Sequence, residues 1–302
     1  MAQRSHRRHF LGTLVSTTLG AAAIGGASPL SAMEPLKRQG SKFKFSLAAY
    51  SYRKLLTGES PQLTLFEFVD DCARFGLEGT ELTSYYFSPE VTDDQLRDLK
   101  RHSFLQGLDV SGTAIRNDFG VPPGDKRDRE IQHVKKWIDR AEILGAPVIR
   151  IFAGHQQKEV SADETHRLIV EGIEDCCEYA GQHGVMLALE NHGGPTATVH
   201  GLLALARDVK SPWFGVNLDT GNFHSETIYQ DLAEAAPYAI NVQVKVAISG
   251  PDRKKTATNF SRLAEMLEAV NYRGYVVLEY EEGGDPRSES ERYLDLLREA
   301  FV

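Results

Sequence analysis

From Phe43 to its end the chain alternates between two patterns of apolar and polar positions. Short apolar runs bounded by Gly, Pro, Asn or Asp are followed by longer stretches in which apolar residues recur three and four positions apart. The first pattern predicts strands buried on both faces, and the second predicts amphipathic helices that cover them. Strands are expected at residues 43–50, 79–82, 109–115, 148–153, 185–190, 214–218, 239–246 and 275–280. Helices are expected at 63–75, 93–106, 127–144, 162–183, 198–208, 230–236, 259–270 and 288–301. Several helix ends are marked by Gly76, Gly107, Gly184, and Gly145 with Pro147 beyond it. Glycine accepts the left-handed conformation that closes a helix, and proline cannot continue one.

Eight strands alternating strictly with eight helices imply a parallel sheet, and that count favours closure on itself over an open sheet. The expected fold is α/β, a (β/α)8 TIM barrel in one domain over residues 43–302. A dinucleotide-binding sheet lacks its fingerprint, since no Gly-x-Gly-x-x-Gly follows the first strand. The chain of 302 residues is longer than the roughly 250 of a typical barrel, and the surplus lies at the N-terminus. There Arg4, Arg7 and Arg8 precede Phe10-Leu11 and an Ala/Gly-rich apolar stretch that runs to about Ala27. Residues 1–32 therefore resemble a twin-arginine export signal, and 33–42 read as a polar linker. The apolar core is short and loosened by glycines, whereas a spanning helix needs about 20 strongly apolar residues. An exported protein, periplasmic or extracellular, is expected, and not an integral membrane protein.

A net charge of −8 with Lys and Arg interspersed among acids offers no basic face for a phosphate backbone, so no nucleic-acid partner is expected. Cys72, Cys176 and Cys177 lie in helical patterns without a Cys-x-x-Cys frame and read as packing residues.

The chemistry concentrates at strand ends. Leu-Ala-Leu-Glu-Asn-His-Gly-Gly ends a strand on Glu190, and three later apolar runs follow the same grammar with Asp219, Gln243 and Glu279. In a parallel barrel all C-terminal ends open at one mouth, so these four become neighbours although far apart in sequence. Three carboxylates there repel one another, and no obvious positive partner serves them all. A divalent cation at the centre is therefore expected.

The segments Leu-Glu-Asn-His, Asn-Leu-Asp-Thr-Gly-Asn, a strand ending in Val-Lys, and Val-Leu-Glu-Tyr-Glu together resemble the xylose isomerase-like barrel superfamily of sugar phosphate isomerases and epimerases. The resemblance spans roughly residues 43–302. It implies a manganese, magnesium or similar ion held by Glu, Asp, His and Glu on four strands. Glu190, Asp219 and Glu279 match; Gln243 stands where the family usually has His, and Asn222 where many members have another His. A glutamine oxygen makes the ligand set all-oxygen, which favours hard ions such as Mn2+ or Mg2+ over zinc. The bland reading of Gln243 is a site that has lost its metal.

The resemblance also implies that the two ligand glutamates, here Glu190 and Glu279, work on opposite faces of a sugar carbon beside a carbonyl. One removes the proton and the other returns it through an enediolate. Around them, His192 reads as a general acid or base or as a loop cap, and Lys245 as an oxyanion holder or a salt-bridge partner. Glu81, Arg150, His155 and Asn222 are candidates for substrate binding, with Arg150 paired to Glu81 or to a ligand carboxylate. The expected activity is metal-dependent sugar isomerisation or epimerisation on a small sugar. With a leaving group in the β position the same chemistry becomes elimination, as in a lyase or hydratase acting on 3-keto-glycosides. A non-catalytic carbohydrate-binding protein is the remaining alternative. A DNA-repair endonuclease on this barrel would need a larger His-rich zinc cluster and a basic groove, neither of which the sequence shows. The oligomeric state is left open, a homo-oligomer included.

Overall fold

The computed structural model describes residues 33–301, and the expected signal segment lies outside them. The barrel strands are β1 (Lys42–Ala48), β2 (Gly79–Glu81), β3 (Asp109–Ala114), β4 (Val148–Ile151), β5 (Met186–Glu190), β6 (Phe214–Asp219) and β7 (Ala239–Val244). A short antiparallel hairpin, β8 (Ala247–Ser249) and β9 (Lys255–Ala257), precedes the last barrel strand, β10 (Arg273–Leu278). The eight barrel strands pair in parallel and close in the order β1-β10-β7-β6-β5-β4-β3-β2. Every expected strand and helix is present, with ends shifted by a few residues.

Local chemistry explains where the helices begin. Thr64 and Thr92 each accept from the backbone N–H three residues on, while Glu67 and Gln95 reach back to the threonine N–H, so two otherwise orphaned donors are satisfied per helix. Ser161, Thr198, Asn259 and Asp285 cap four later helices. The apolar stripes of the helices pack on the outer face of the strands in one continuous core, which includes all three cysteines.

The barrel interior is not uniformly apolar. Side chains on a strand alternate sides with a period of two, and the pairing of Asn217 with Asn241 and of Asp219 with Gln243 places four polar residues of β6 and β7 on the inward side. Near the lower end Ser46 and Ser111 share a hydrogen bond of 2.7 Å.

Two features were not legible in the sequence. The β8–β9 hairpin consists of strands too short to show a period, and β9 is exposed. The stretch read as a polar linker is held against the base of the barrel: Leu36 N–H donates to Pro237 O at 3.0 Å, and Arg38 donates to Ala239 O at 2.6 Å. No helix among the described residues is long and apolar enough to cross a membrane.

The helices Leu65–Arg74 and Pro286–Ala300 are joined by a buried charge. Asp71 accepts from Arg287 at 2.7 and 2.9 Å and from Arg74 at 3.1 Å. Burial pushes its carboxyl up, but the two guanidinium groups outweigh burial and hold it below the ordinary carboxylate range. Such a group stabilises the fold fully above its unfolded pKa, and the contribution fades as pH falls through the folded value. Asp71→Asn should therefore cost about 1.5–3 kcal/mol near neutral pH and flatten the acid limb below about pH 4. Chemical denaturation of both proteins across pH measures this; parallel curves would overturn it.

Candidate active site

The C-terminal strand ends bring the expected residues into three linked networks. In the first, the Lys245 ammonium is buried among carboxylates: it contacts Glu279 Oε2 and lies 2.9 Å from Glu281 Oε1 and 3.3 Å from Asp219 Oδ2. Its backbone N–H donates to Thr220 Oγ1 at 3.0 Å, and its stem crosses Gly221, where a Cβ would sit 2.5 Å from Lys245 Cγ. Only glycine leaves room for the lysine to reach the cluster. Burial alone would lower the ammonium pKa, yet Asp219, Glu279 and Glu281 together hold it well above the ordinary value.

The second network belongs to Glu190. Arg150 Nε lies 2.7 Å from Glu190 Oε2, and Asn222 donates to Oε1 at 2.8 Å. Arg150 also donates to Ile115 O at 2.6 Å and to the Tyr85 hydroxyl at 3.3 Å, and it lies over the Phe152 ring. Of the two partners left open for Arg150, the structure selects Glu190. Burial, with Asp219 and Glu279 nearby, pushes the Glu190 carboxyl up against the pull of Arg150, whereas the close contact with Lys245 overcomes burial and holds Glu279 below the usual range.

The third network lies beneath the floor. Gln243 donates to Glu81 Oε1 at 2.7 Å and accepts from Asn217 at 2.7 Å; Asn241 donates to Asn217 at 2.8 Å and to Glu81 Oε2 at 3.2 Å. Burial pushes the Glu81 carboxyl up to about 7. Glu81 was expected to bind substrate and Gln243 to ligate metal, but both side chains are buried and absent from the cavity lining, with their polar atoms already paired. These two expectations are corrected: the amides and the acid satisfy one another across the barrel.

Above the floor opens a cavity of about 1180 Å³. Glu190, Glu279, Lys245, Arg150, Asn222, His192 and His155 line it, together with Tyr50, Tyr85 and Glu281. Asp219 does not; it lies underneath, with Asn191 bonded to its backbone on both sides. His192 stacks at 4.2 Å on Phe152, and burial together with the Arg150 and Lys245 charges lowers its pKa to about 4. It is neutral at pH 7, which leaves it unable to serve as a strong acid. Of the aromatic residues near the mouth, Tyr52 and Phe223 are core.

The expected four-ligand metal centre is not formed. Among the described residues no group of three or more His, Cys, Asp or Glu side chains is disposed to hold an ion. The physical reason is the donor set: the Gln243 oxygen is taken by Asn217, both Glu190 oxygens are taken by Arg150 and Asn222, and a lysine ammonium already sits between Asp219 and Glu279. A divalent ion needs about six oxygen donors and would be repelled by that ammonium. The residues as arranged do not fit Mn2+ or Mg2+. Sequence reasoning found no positive partner for the acids because Lys245 and Arg150 were treated as neighbours of a metal and not as its replacement. It also missed Glu281, although the alternation Glu279-Tyr280-Glu281 places both acids on one side of the strand end.

A profile of the xylose isomerase-like TIM barrel family matches residues 69–300. The chain belongs to this family. A search of curated protein sequences found no match. Among solved structures, the family member described here is similar to D-psicose 3-epimerase from Clostridium cellulolyticum H10, with 16% identity, a TM-score of 0.70, and coverage of 85% of this chain and 99% of that one. It is also similar to 3-keto-D-glucoside 4-epimerase from E. coli, at 17% identity and TM-score 0.67 over 85% and 100% of the two chains. A xylose isomerase domain protein from Planctomyces limnophilus gives 15%, 0.65, 87% and 98%. At these identities the likeness concerns the fold.

If Lys245 neutralises the acids in place of an ion, its removal should open the cluster to one. Calorimetric titration with Mn2+ should show no stoichiometric uptake by the chelator-treated wild-type xylose isomerase-like barrel and measurable uptake by Lys245→Met. Tight binding by the wild type would overturn the assignment.

Proposed function

We propose that this barrel is a sugar isomerase or epimerase that moves a proton at a carbon next to a carbonyl. The observation that carries the reading is the pairing, on one cavity floor, of two carboxylates in different environments: Glu279 against Lys245, and Glu190 against Arg150. They end strands separated by β6 and β7 in the ring, so a sugar seated between them presents a different face to each.

The roles follow from the contacts. Glu279, kept ionised by Lys245, accepts the proton from the carbon. The electrons move onto the carbonyl oxygen, and the developing enediolate charge is met by the Lys245 ammonium and the Arg150 guanidinium, fixed cations that need no reorganisation during the step. Glu190, whose carboxyl is pushed up, returns a proton to the opposite face or to the neighbouring carbon. Acid and base roles divide in this way when two carboxyls sit in environments that push their pKa values apart. Asn222 orients Glu190, and His192, neutral, offers a hydrogen bond to a sugar hydroxyl. No step uses a metal ion.

A second reading keeps the same proton removal but ends in loss of a β-substituent from a 3-keto-glycoside. It is supported by a cavity with room for more than one small sugar and by the structural similarity to an enzyme whose printed name is 3-keto-D-glucoside 4-epimerase. The arginine pair and apolar stretch of residues 1–32 support an exported enzyme, which directs attention to extracellular sugars and glycosides.

Incubation in D2O with free ketoses and with keto-glycosides, followed by NMR, tests the proposal. Deuterium entering the carbon next to the carbonyl without cleavage supports epimerisation, and released aglycone supports elimination. Glu279→Gln should lower kcat/KM by about 10²–10⁴ while sugar affinity changes little. A protein that binds sugar yet catalyses neither exchange nor cleavage would be the non-catalytic carbohydrate-binding alternative.

A further inference from the structure

The floor of the cavity accounts for only part of its lining. The remainder is an outer arm formed by the segment after β2, the segment after β3 and one face of the helix Asp125–Leu144. Four cationic side chains line this arm: Arg116, Arg129, Lys136 and Arg140. The last three recur at intervals of seven and four along the helix, with His133 between them, and so lie on one stripe. In a chain of net charge −8 this is a local reversal of sign. The sequence hid it, because cations scattered among acids along the chain are gathered on one face by the helix.

None of the four cations has a carboxylate within 4.0 Å among the described residues. Arg116 stacks on the Tyr85 ring at 5.2 Å and Arg140 on the Trp137 ring at 4.8 Å, while Arg140 also donates to Pro89 O at 3.2 Å. The acids bordering the same arm are turned to other work: Glu130 accepts from the Asp118 N–H at 3.0 Å, and Asp118 accepts from the N–H groups of Gly120 and His155, both at 3.0 Å. Like charges at helical spacing destabilise an isolated helix by a few tenths of a kcal/mol per pair. Asp118 and Glu130 border the arm and Asp93 acts on Arg140 from a greater distance, but none of them forms an ion pair with the four cations among the described residues.

We infer that the outer arm is a subsite for an oxyanion group, a carboxylate, sulfate or phosphate, carried by the substrate at the end remote from the reacting carbon. Guanidinium groups suit this chemistry because their planar donors match two oxygens at once. Tyr85, Phe87 and Trp137 line the same region and supply apolar surface for a sugar face. The cavity of about 1180 Å³ is larger than drug-sized ligands require, which leaves space for a charged unit beyond the sugar over Glu190 and Glu279. Four cations around one open cavity are too few to track a nucleic-acid backbone, where specific binders neutralise about six to ten phosphates.

The inference adds a substrate class to the proton-transfer reading and is tested without turnover. Calorimetric titrations of the full chain compare D-glucose with D-glucuronate, D-glucose 6-sulfate and D-glucose 6-phosphate at low and at physiological salt. The expected result is at least tenfold tighter binding of one or more charged probes, weakened by salt, and the three charged arms tell carboxylate, sulfate and phosphate apart. The double substitution Arg129→Glu and Lys136→Glu, at exposed positions, should erase the preference; the milder Lys136→Met should reduce it, and thermal melts verify that both variants fold. Equal affinity for neutral and charged probes, or a preference that survives charge reversal, overturns the inference. Failure of the deuterium-exchange assay would leave it standing, and its own failure would leave the roles of Glu190 and Glu279 untouched.

Discussion

The mouth of this barrel depends on neutralising buried carboxylates. Glu190, Asp219 and Glu279 are almost completely withdrawn from water, and Glu81 lies beneath them. Isolated ionised groups in that position would each cost several kcal/mol. Lys245 offsets the cost for Glu279 and part of it for Asp219, Arg150 offsets part of it for Glu190, and the amides of Asn241 and Gln243 hydrogen-bond Glu81. Substitution of either cation would leave charge unpaired, so fold stability and site chemistry are coupled through the same residues. That coupling also fixes geometry: Lys245 can reach the cluster only because Gly221 leaves its path open.

Strand register decides which groups face upward and which are used beneath. Asp219 pairs with Gln243 and Asn217 with Asn241, so two successive inward layers of β6 and β7 lie beneath the residues that line the cavity. Gln243, Asn217 and Asn241 form with Glu81 on β2 a closed hydrogen-bond circuit across the barrel. Buried polar circuits of this kind hold when every member is satisfied and fail when one is not. A histidine at position 243 would break this one, since a neutral imidazole offers one donor and one acceptor in a different geometry from an amide. Gln243 is therefore consistent with its neighbours in this chain.

Much of this was legible in the sequence. Buried parallel strands and amphipathic helices write their periods plainly, and Gly145 and Pro147 mark a boundary whatever the tertiary context. That Glu190, Asp219, Gln243 and Glu279 gather at one end follows from strand parity alone. What parity cannot reveal is which partner a charged atom selects. Arg150 had Glu81 and Glu190 as options, and only the packing of Phe152, Ile115 and Tyr85 around its guanidinium decides for Glu190. Lys245 was visible two residues after Gln243, but its long stem could point into the cluster or away from it. The resemblance to metal-binding barrels supplied an ion where the chain has its own ammonium. The outer arm went unread for a different reason: the net charge of the whole chain says nothing about one face of one helix.

The two ends of the cavity carry opposite tasks, and their charges make them directional. At the floor Lys245 and Arg150 already contact carboxylates, so a full charge carried in by a ligand would be met less favourably there than in the outer arm. Charge developing on a carbonyl oxygen in the proposed reaction could still share their donors. In the outer arm the cations have no carboxylate partners, and an oxyanion gains there what it would lose at the floor. Under the proposed reading, a sugar with a charged end would enter in one orientation, its carbonyl toward Glu190 and Glu279 and its charge toward the helix Asp125–Leu144. Orientation of this kind matters for proton transfer between two carboxyls, since an inverted sugar would present the wrong carbon to Glu279 while still filling the pocket. On that reading the charge on the helix would serve the chemistry on the floor without touching it.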